Sequence, residues 1–408
     1  MQLVTSKRET SARGSLDSFS KQTIVECIKS GRYDYVSVAL TPWHARMAVG
    51  SYLKLRAANL VDKGILLIDR HGKDGYLISP ETVTSGLDIA YLERGDDGLI
   101  TLTRALVCRV FVPSIQVKKN KGRVVFVANP SFPGSIFNSL EALNLDCRLS
   151  YILLDEGVGS YLASAEDWAR QSIRDRGLHG PKALIRKWLF NRECYTIPRL
   201  IRTLEAKKRF QRFYLFKDDG ILDDTNAAFV RRAFELESKC IDSSSQANNK
   251  YEGAVVFCSQ FPLVEARSIS LKAHLAAVDA AYQVAMQLSA PFVLKLHPRE
   301  ADLSIYSRYE AFIDPRRGIA LEDILGCLTT PPVCVTSLCS TAMITASAVF
   351  KCPAIGLEGF ISDEEVADSF TWFCEKMRTV FSRYYKCPST IDELCAYLQQ
   401  RNSMIGLP

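Results

Sequence analysis

Residues Tyr151 to Tyr161 read YILLDEGVGSY, an apolar run that ends in two adjacent carboxylates and a glycine. A run of this kind predicts a buried strand that hands acids to a loop, and in parallel sheets ligands gather where strands end. The design recurs in the second half of the chain. There Phe292-Val293-Leu294-Lys295-Leu296 delivers His297-Pro298, and Val333 to Cys339 delivers Ser340-Thr341 to a new helix. One carboxylate site, one histidine and one hydroxyl pair, all at strand ends, predict a single cleft.

Working outward, the N-terminal half alternates strand-like and helix-like segments. Strands are expected at Tyr33 to Leu40, Gly64 to Asp69, Arg123 to Ala128 and Leu149 to Leu154, with helices over Trp43 to Leu60 and Gly134 to Leu143. The polar stretch Cys240 to Lys250 breaks the periodicity and reads as a linker. Beyond it come strand Ala254 to Ser259, helix Ser270 to Leu288, strands Phe292 to Leu296 and Val333 to Thr336, helix Thr341 to Phe350 and strand Pro353 to Leu357. Strands alternating with helices predict the α/β class, with parallel sheets covered by helices. The expected division is a Rossmann-like domain over residues 1–240, a second over 252–387, and a terminal helix over 388–408 packing back on the first domain.

Composition excludes several classes. With 408 residues, 47% apolar and 24% charged, the chain is neither disordered nor membrane-spanning in character. Its polar start lacks an apolar leader segment and no run approaches the length of a membrane helix, so a cytoplasmic protein is expected. Thirteen cysteines without a CxxC spacing predict reduced, mostly buried thiols. The net charge of +6 is local in origin: from Arg170 to Arg212 thirteen Lys or Arg face three acids. Within it, Pro181 to Phe190 mixes cations such as Arg186 and Lys187 with large apolar residues, as suits an anionic membrane surface or a groove for a polyanion. No nucleic-acid-binding motif accompanies the charge.

The chemistry starts from the acids. Gly157 and Gly159 let the loop after Asp155-Glu156 turn sharply, and one of the two acids is expected to protrude while the other braces the loop. Asp96-Asp97-Gly98 and Asp218-Asp219-Gly220 repeat the pattern but lack so clean a strand before them. His297 has Lys295 and Arg299 beside it, a setting that suits phosphate. His44, in Thr41-Pro42-Trp43-His44, is placed similarly after the first strand, whereas His71, His179 and His274 read as surface or structural. Ser340-Thr341 opens a helix, where hydroxyls and free backbone N–H groups make a phosphate site. Neither GxxxxGK[ST] nor GxGxxG occurs, and no spacing suits a metal.

Asp155-Glu156-Gly157, His297-Pro298 and Ser340-Thr341 resemble, in order and spacing, the acid-acid-glycine, His-Pro and Ser-Ser/Thr motifs of bacterial sialyltransferases of the capsule polysialyltransferase and lipooligosaccharide sialyltransferase groups. Thr41 to His44 and Val255 to Leu263 extend the resemblance. It implies a GT-B glycosyltransferase with two Rossmann-like domains facing each other across a cleft. It also implies CMP-sialic acid as donor, with no cofactor and no metal, and inversion of the anomeric centre. The residue roles follow: Asp155 as base, His297 as acid or phosphate partner, and Ser340, Thr341, Ser337, Pro298, Lys295, Glu156, Gly157 and Gln260 around the donor. His44, Trp43, Arg186 and Lys187 are assigned to the acceptor or cleft. Phe261 stands between Gln260 and Pro262, where the relatives place Gln next to Pro. The implied partners are the nucleotide sugar, an anionic glycan acceptor, and peripherally the inner membrane or capsule machinery, with no nucleic acid. Another CMP-activated acidic sugar, Kdo or a different nonulosonate, requires the same phosphate chemistry, and CDP-glycerol glycerophosphotransferases share the His-Pro and serine motifs.

Overall fold

The computed structural model describes residues 27–28, 30–39, 41–69, 86–92, 124–128, 149–155, 157, 161, 210–217, 219–238, 249–297, 300, 302–314, 316 and 319–405. They fall into two compact units. The first comprises residues 1–156 and 179–214, the second residues 157–178 and 215–408.

The first unit holds β1 (Tyr35–Ala39), α1 (Pro42–Ala57), β2 (Gly64–Asp69), β3 (Leu87–Leu92), β4 (Val124–Ala128), β5 (Leu149–Leu154) and β6 (Phe210–Phe213). Its strands form one sheet in the order β3-β2-β1-β4-β5-β6, every pair parallel. β1 is buried along its whole length, as befits a strand covered on both faces. α1 starts where Thr41 accepts a hydrogen bond from the His44 N–H and Pro42 takes the first helical position. Tyr35 fastens the helix to the strand, its ring edge-on to Tyr52 at 5.2 Å and its hydroxyl bonded to the Ala48 carbonyl. The helix stops at Ala57, short of the expected Leu60, because Asn59 turns to φ +55 and leaves Leu60 exposed.

The second unit runs α2 (Asp224–Ser238), β7 (Val255–Cys258), α3 (Leu271–Gln287), β8 (Phe292–Lys295), a 3₁₀ segment (Ser304–Phe312) and β9 (Ile313–Asp314). It continues with α4 (Leu321–Leu325), β10 (Cys334–Ser337), α5 (Thr341–Phe350), β11 (Ala354–Gly356), α6 (Asp368–Val380), β12 (Tyr385–Lys386) and α7 (Ile391–Ile405). Its parallel sheet has the order β12-β11-β10-β7-β8-β9. Counted from its own first strand, this is the same 3-2-1-4-5-6 order as in the first unit. The core lies where Ala273, Ala277, Val278, Ala281 and Val284 of α3 meet Val255 and Phe257 of β7 and Leu294 of β8. Removing a ring as fully buried as Phe257 costs about 3–5 kcal/mol in such a core.

Two expectations about organisation are corrected. The units divide at residues 214 and 215 rather than near residue 240. α2 turns Val230, Ala233 and Phe234 inward, packs on α4, and sends Arg231 to the Val349 carbonyl, so it belongs to the second unit. The polar stretch after it therefore lies inside a unit, and all of it before Asn249 is outside the described residues. The terminal helix α7 belongs to the second unit. Leu394, Cys395 and Leu398 join the core of the second unit against α3. The expected helix Gly134 to Leu143 lies outside the described residues.

Candidate active site

Strand order sets where chemistry can sit. In a 3-2-1-4-5-6 sheet the chain leaves the first and fourth strands in opposite directions, and the crevice beyond their carboxyl ends takes ligands. In the second unit that switch point lies between β7 and β10. β7 runs out into Ser259-Gln260-Phe261, β10 into Leu338-Cys339-Ser340-Thr341, and β8, beside β7, into Leu296-His297. In the first unit the switch point lies between β1 and β4, with Trp43 following β1 and Asp155 following β5, the strand next to β4.

Asp155 is fully buried, and the Trp43 indole N–H donates to its Oδ1 at 2.6 Å. A carboxylate withdrawn from water needs such donors, and a bond to a charged acceptor is about twice as strong as a neutral one. Of the two acids, Asp155 is the one held in, by the half-buried indole that reaches over from the first turn of α1. His44, next along that turn, is also buried. Its Nδ1 has no hydrogen-bond partner among the described residues, and burial pushes the imidazole down to about 4, so it is neutral near pH 7.

Gly157 takes φ +97, a conformation that favours glycine, and it packs against the Thr341 side chain so closely that a Cβ would collide with Oγ1 and Cγ2. Thus the second unit brings two of the sequence-predicted donor residues together. Ser340 stands at the N-cap position of α5 with extended backbone, φ −143 and ψ 137, yet its hydroxyl makes no capping bond. The first-turn N–H groups of α5 thus point past a hydroxyl that does not cap them. His297 is half-buried directly after β8.

Other predicted donor contacts have different partners. The Ser337 hydroxyl is fully buried and donates to the Cys258 carbonyl at 2.8 Å, latching β10 to β7. Lys295 is held at the sheet edge: its ammonium donates to the Arg316 carbonyl and is drawn to Asp314, its register partner on β9. Burial brings that ammonium down to about 8. Burial alone would raise the Asp314 carboxyl, but Arg316, the Tyr251 hydroxyl and Lys295 hold it at about 2. In the folded chain Lys295 braces β8 against β9 and the segment after it. Gln260 is half-buried, and its backbone carbonyl accepts from Leu263 as Phe261 and Pro262 start a single helical turn. Glu156, Pro298, Arg186 and Lys187 lie outside the described residues.

In the rival motif Asp218-Asp219-Gly220, the described residues Asp219 and Gly220 form a turn. Asp219 accepts from the Ile221 N–H at 3.0 Å, and Gly220, at φ +75, packs on the Val380 carbonyl. His274, read as surface or structural, is structural: fully buried, with Nε2 2.7 Å from the Tyr306 hydroxyl. The residue that escaped the sequence reading is Glu300, buried three positions after His297 and bonded to Ser259, Phe261 and Tyr306. A carboxylate so close to a strand-end histidine was the available signal. Among the described residues no helix is long and apolar enough to cross a membrane.

Two Rossmann-like α/β units in one chain, with an acid, a histidine and a hydroxyl pair at strand ends, are the make-up of a GT-B glycosyltransferase. The model of the Alpha-2,8-polysialyltransferase (POLYST) family matches residues 115–357, a span that contains Asp155, His297, Ser340 and Thr341. The chain belongs to that family and is a glycosyltransferase of the sialyltransferase kind. No curated protein matches its sequence. Among solved structures it is similar to the alpha/beta-galactoside alpha-2,3-sialyltransferase of Photobacterium phosphoreum, at 11% identity and TM-score 0.47, over 88% of this chain and 98% of that one. It is similar also to a sialyltransferase from Photobacterium damsela, at 11% identity and TM-score 0.40, over 87% and 81% of the two chains.

Proposed function

We propose that the protein transfers sialic acid from CMP-sialic acid to a hydroxyl of an anionic surface glycan, without a metal ion and with inversion at the anomeric carbon. The family description favours a growing sialic acid chain as the acceptor. Asp155 takes the proton of the acceptor hydroxyl as its oxygen bonds to the anomeric carbon. The bond from that carbon to the phosphate oxygen breaks, and its electron pair leaves on CMP. His297 and the hydroxyls of Ser340 and Thr341, with the helix N–H groups behind them, carry the charge that develops on the phosphate. The observation that carries this reading is the uncapped start of α5: Ser340 sits at the switch point with its hydroxyl unused by the helix, and Thr341 lies against Gly157. An anion held by a helix N-terminus and hydroxyls needs no cation beside it.

A cytoplasmic enzyme using a cytoplasmic nucleotide sugar, bound peripherally at the inner membrane through the basic segment 170–212, fits this chemistry. The test is incubation of the full chain with CMP-N-acetylneuraminic acid, or with CMP-Kdo, and oligosialic or lactose-terminated acceptors in the presence of a chelator. CMP release and product linkage are the readouts. Chain extension with CMP-N-acetylneuraminic acid in chelator is the expected result. Turnover only with CMP-Kdo, or only after a divalent cation is restored, overturns the reading.

A further inference from the structure

The peptide unit of His297 is gripped on both sides by one residue. The His297 carbonyl accepts from the Glu300 N–H at 3.0 Å, and the Glu300 carboxylate accepts from the His297 N–H. The same carboxylate accepts from the Phe261 N–H at 3.3 Å, from the Ser259 hydroxyl, and from the Tyr306 hydroxyl at 3.3 Å. The Ser259 and Tyr306 oxygens lie 2.9 Å apart, and His274 braces Tyr306 from α3. Glu300, Ser259, His274 and Tyr306 are all at most 2% exposed. Carboxylates are rarely buried this deeply. This one ties the exit of β8, which carries His297, to the exit of β7, which borders the switch point.

We propose that Glu300 is a positioning residue: by clasping the backbone of His297 and joining it to Ser259 and Phe261, it fixes the direction in which the imidazole meets the donor phosphate. This inference rests on the phosphate-side role assigned to His297. Glu300 itself touches no reacting atom. Its carboxylate has to accept from every partner at once, including two backbone N–H groups, which a side-chain amide cannot do because its nitrogen only donates. Packing alone would not require the charge, since an amide has nearly the same volume.

The experiment is a double-mutant cycle with Glu300→Gln, His297→Ala and the pair in the full chain, reading CMP affinity by calorimetry and kcat by CMP release. Glu300→Gln is expected to lower kcat by about a hundredfold, the loss typical of a displacement near 1 Å, while the acceptor KM stays put. CMP affinity is expected to fall roughly tenfold, and neither loss should recur in the His297→Ala background. If Glu300→Gln proves poorly folded, Ser259→Ala, which leaves the charge in place, is expected to give smaller losses that also vanish in His297→Ala. Losses that multiply with those of His297→Ala, or wild-type kcat in Glu300→Gln, overturn the positioning role. Wild-type kcat and CMP affinity in His297→Ala itself would instead remove the underlying assignment of His297.

Discussion

The Trp43 indole nitrogen lies 2.6 Å from Asp155 Oδ1, joining residues 112 positions apart in the chain. The first turn of α1 thereby reaches past the end of β4 to the end of β5. The fully buried carboxylate is thereby given a rigid, singly directed donor.

Asp155→Asn keeps an oxygen for the indole but cannot take a proton. We expect kcat to fall about 10²–10⁴-fold, the usual contribution of general base catalysis, with CMP affinity unchanged in calorimetry. Trp43→Phe keeps the ring and removes the donor. Urea unfolding should then show a loss of about 1–3 kcal/mol, the cost of withdrawing one partner from a buried polar group.

Gly157→Ala meets two penalties, the positive φ and the contact with Thr341. A residue forced into such a conformation costs about 1–3 kcal/mol. Adding Thr341→Ala should return only the part due to the collision, leaving the backbone part. Equal stability of Gly157→Ala and the wild type in urea titration would contradict the geometry.

Ser340→Ala separates a helix cap from a ligand contact. A working cap loses about 1 kcal/mol when replaced by alanine. Because the Ser340 hydroxyl caps nothing, the unfolding midpoint should not move. The donor KM should nevertheless rise about tenfold in steady-state kinetics, equivalent to about 1.4 kcal/mol of lost binding.

His44 and His274 each sit at about 4 in the folded chain because burial disfavours their charged forms. Unfolded, they titrate near 6.5. Below that value the unfolded chain binds more protons than the folded one, so stability falls as pH drops from 6.5 towards 4. The slope approaches about 1.4 kcal/mol per pH unit for each histidine. Urea midpoints followed over this window in the wild type and in His274→Phe should show a shallower slope in the variant.

The strands most evident from sequence, β1, β2, β5, β7, β8 and β10, are continuous apolar runs bounded by turn residues, and the acid and His-Pro motifs follow them directly. Edge strands escaped: β9 and β12 have two residues each, too few to show any period. Along the sequence Lys295 stands beside His297 and so is placed around the donor. Its actual partner depends on strand pairing, which sets it opposite Asp314 on β9. Glu300 was missed for a related reason. Its meaning comes from Ser259, 41 residues earlier, and from Tyr306 and His274, none of which forms a pattern with it along the chain. The boundary between the units was misplaced because a polar run marks a break in periodicity, whereas α2 declares its allegiance through the buried Val230 and Phe234.

The path of the chain between its two units has a practical outcome. β5 belongs to the first unit, Gly157 and Tyr161 to the second, β6 again to the first, and everything from Leu215 onward to the second. Tyr161 stacks edge-on with Phe216 and Phe381, so the brief early visit is knitted into later sequence. Neither half is a contiguous stretch that a single cut could release. A fragment starting at Leu215 would lack Tyr161 and the glycine beneath Thr341. During synthesis on the ribosome, Tyr161 emerges well before Phe381, one of the two rings it packs against.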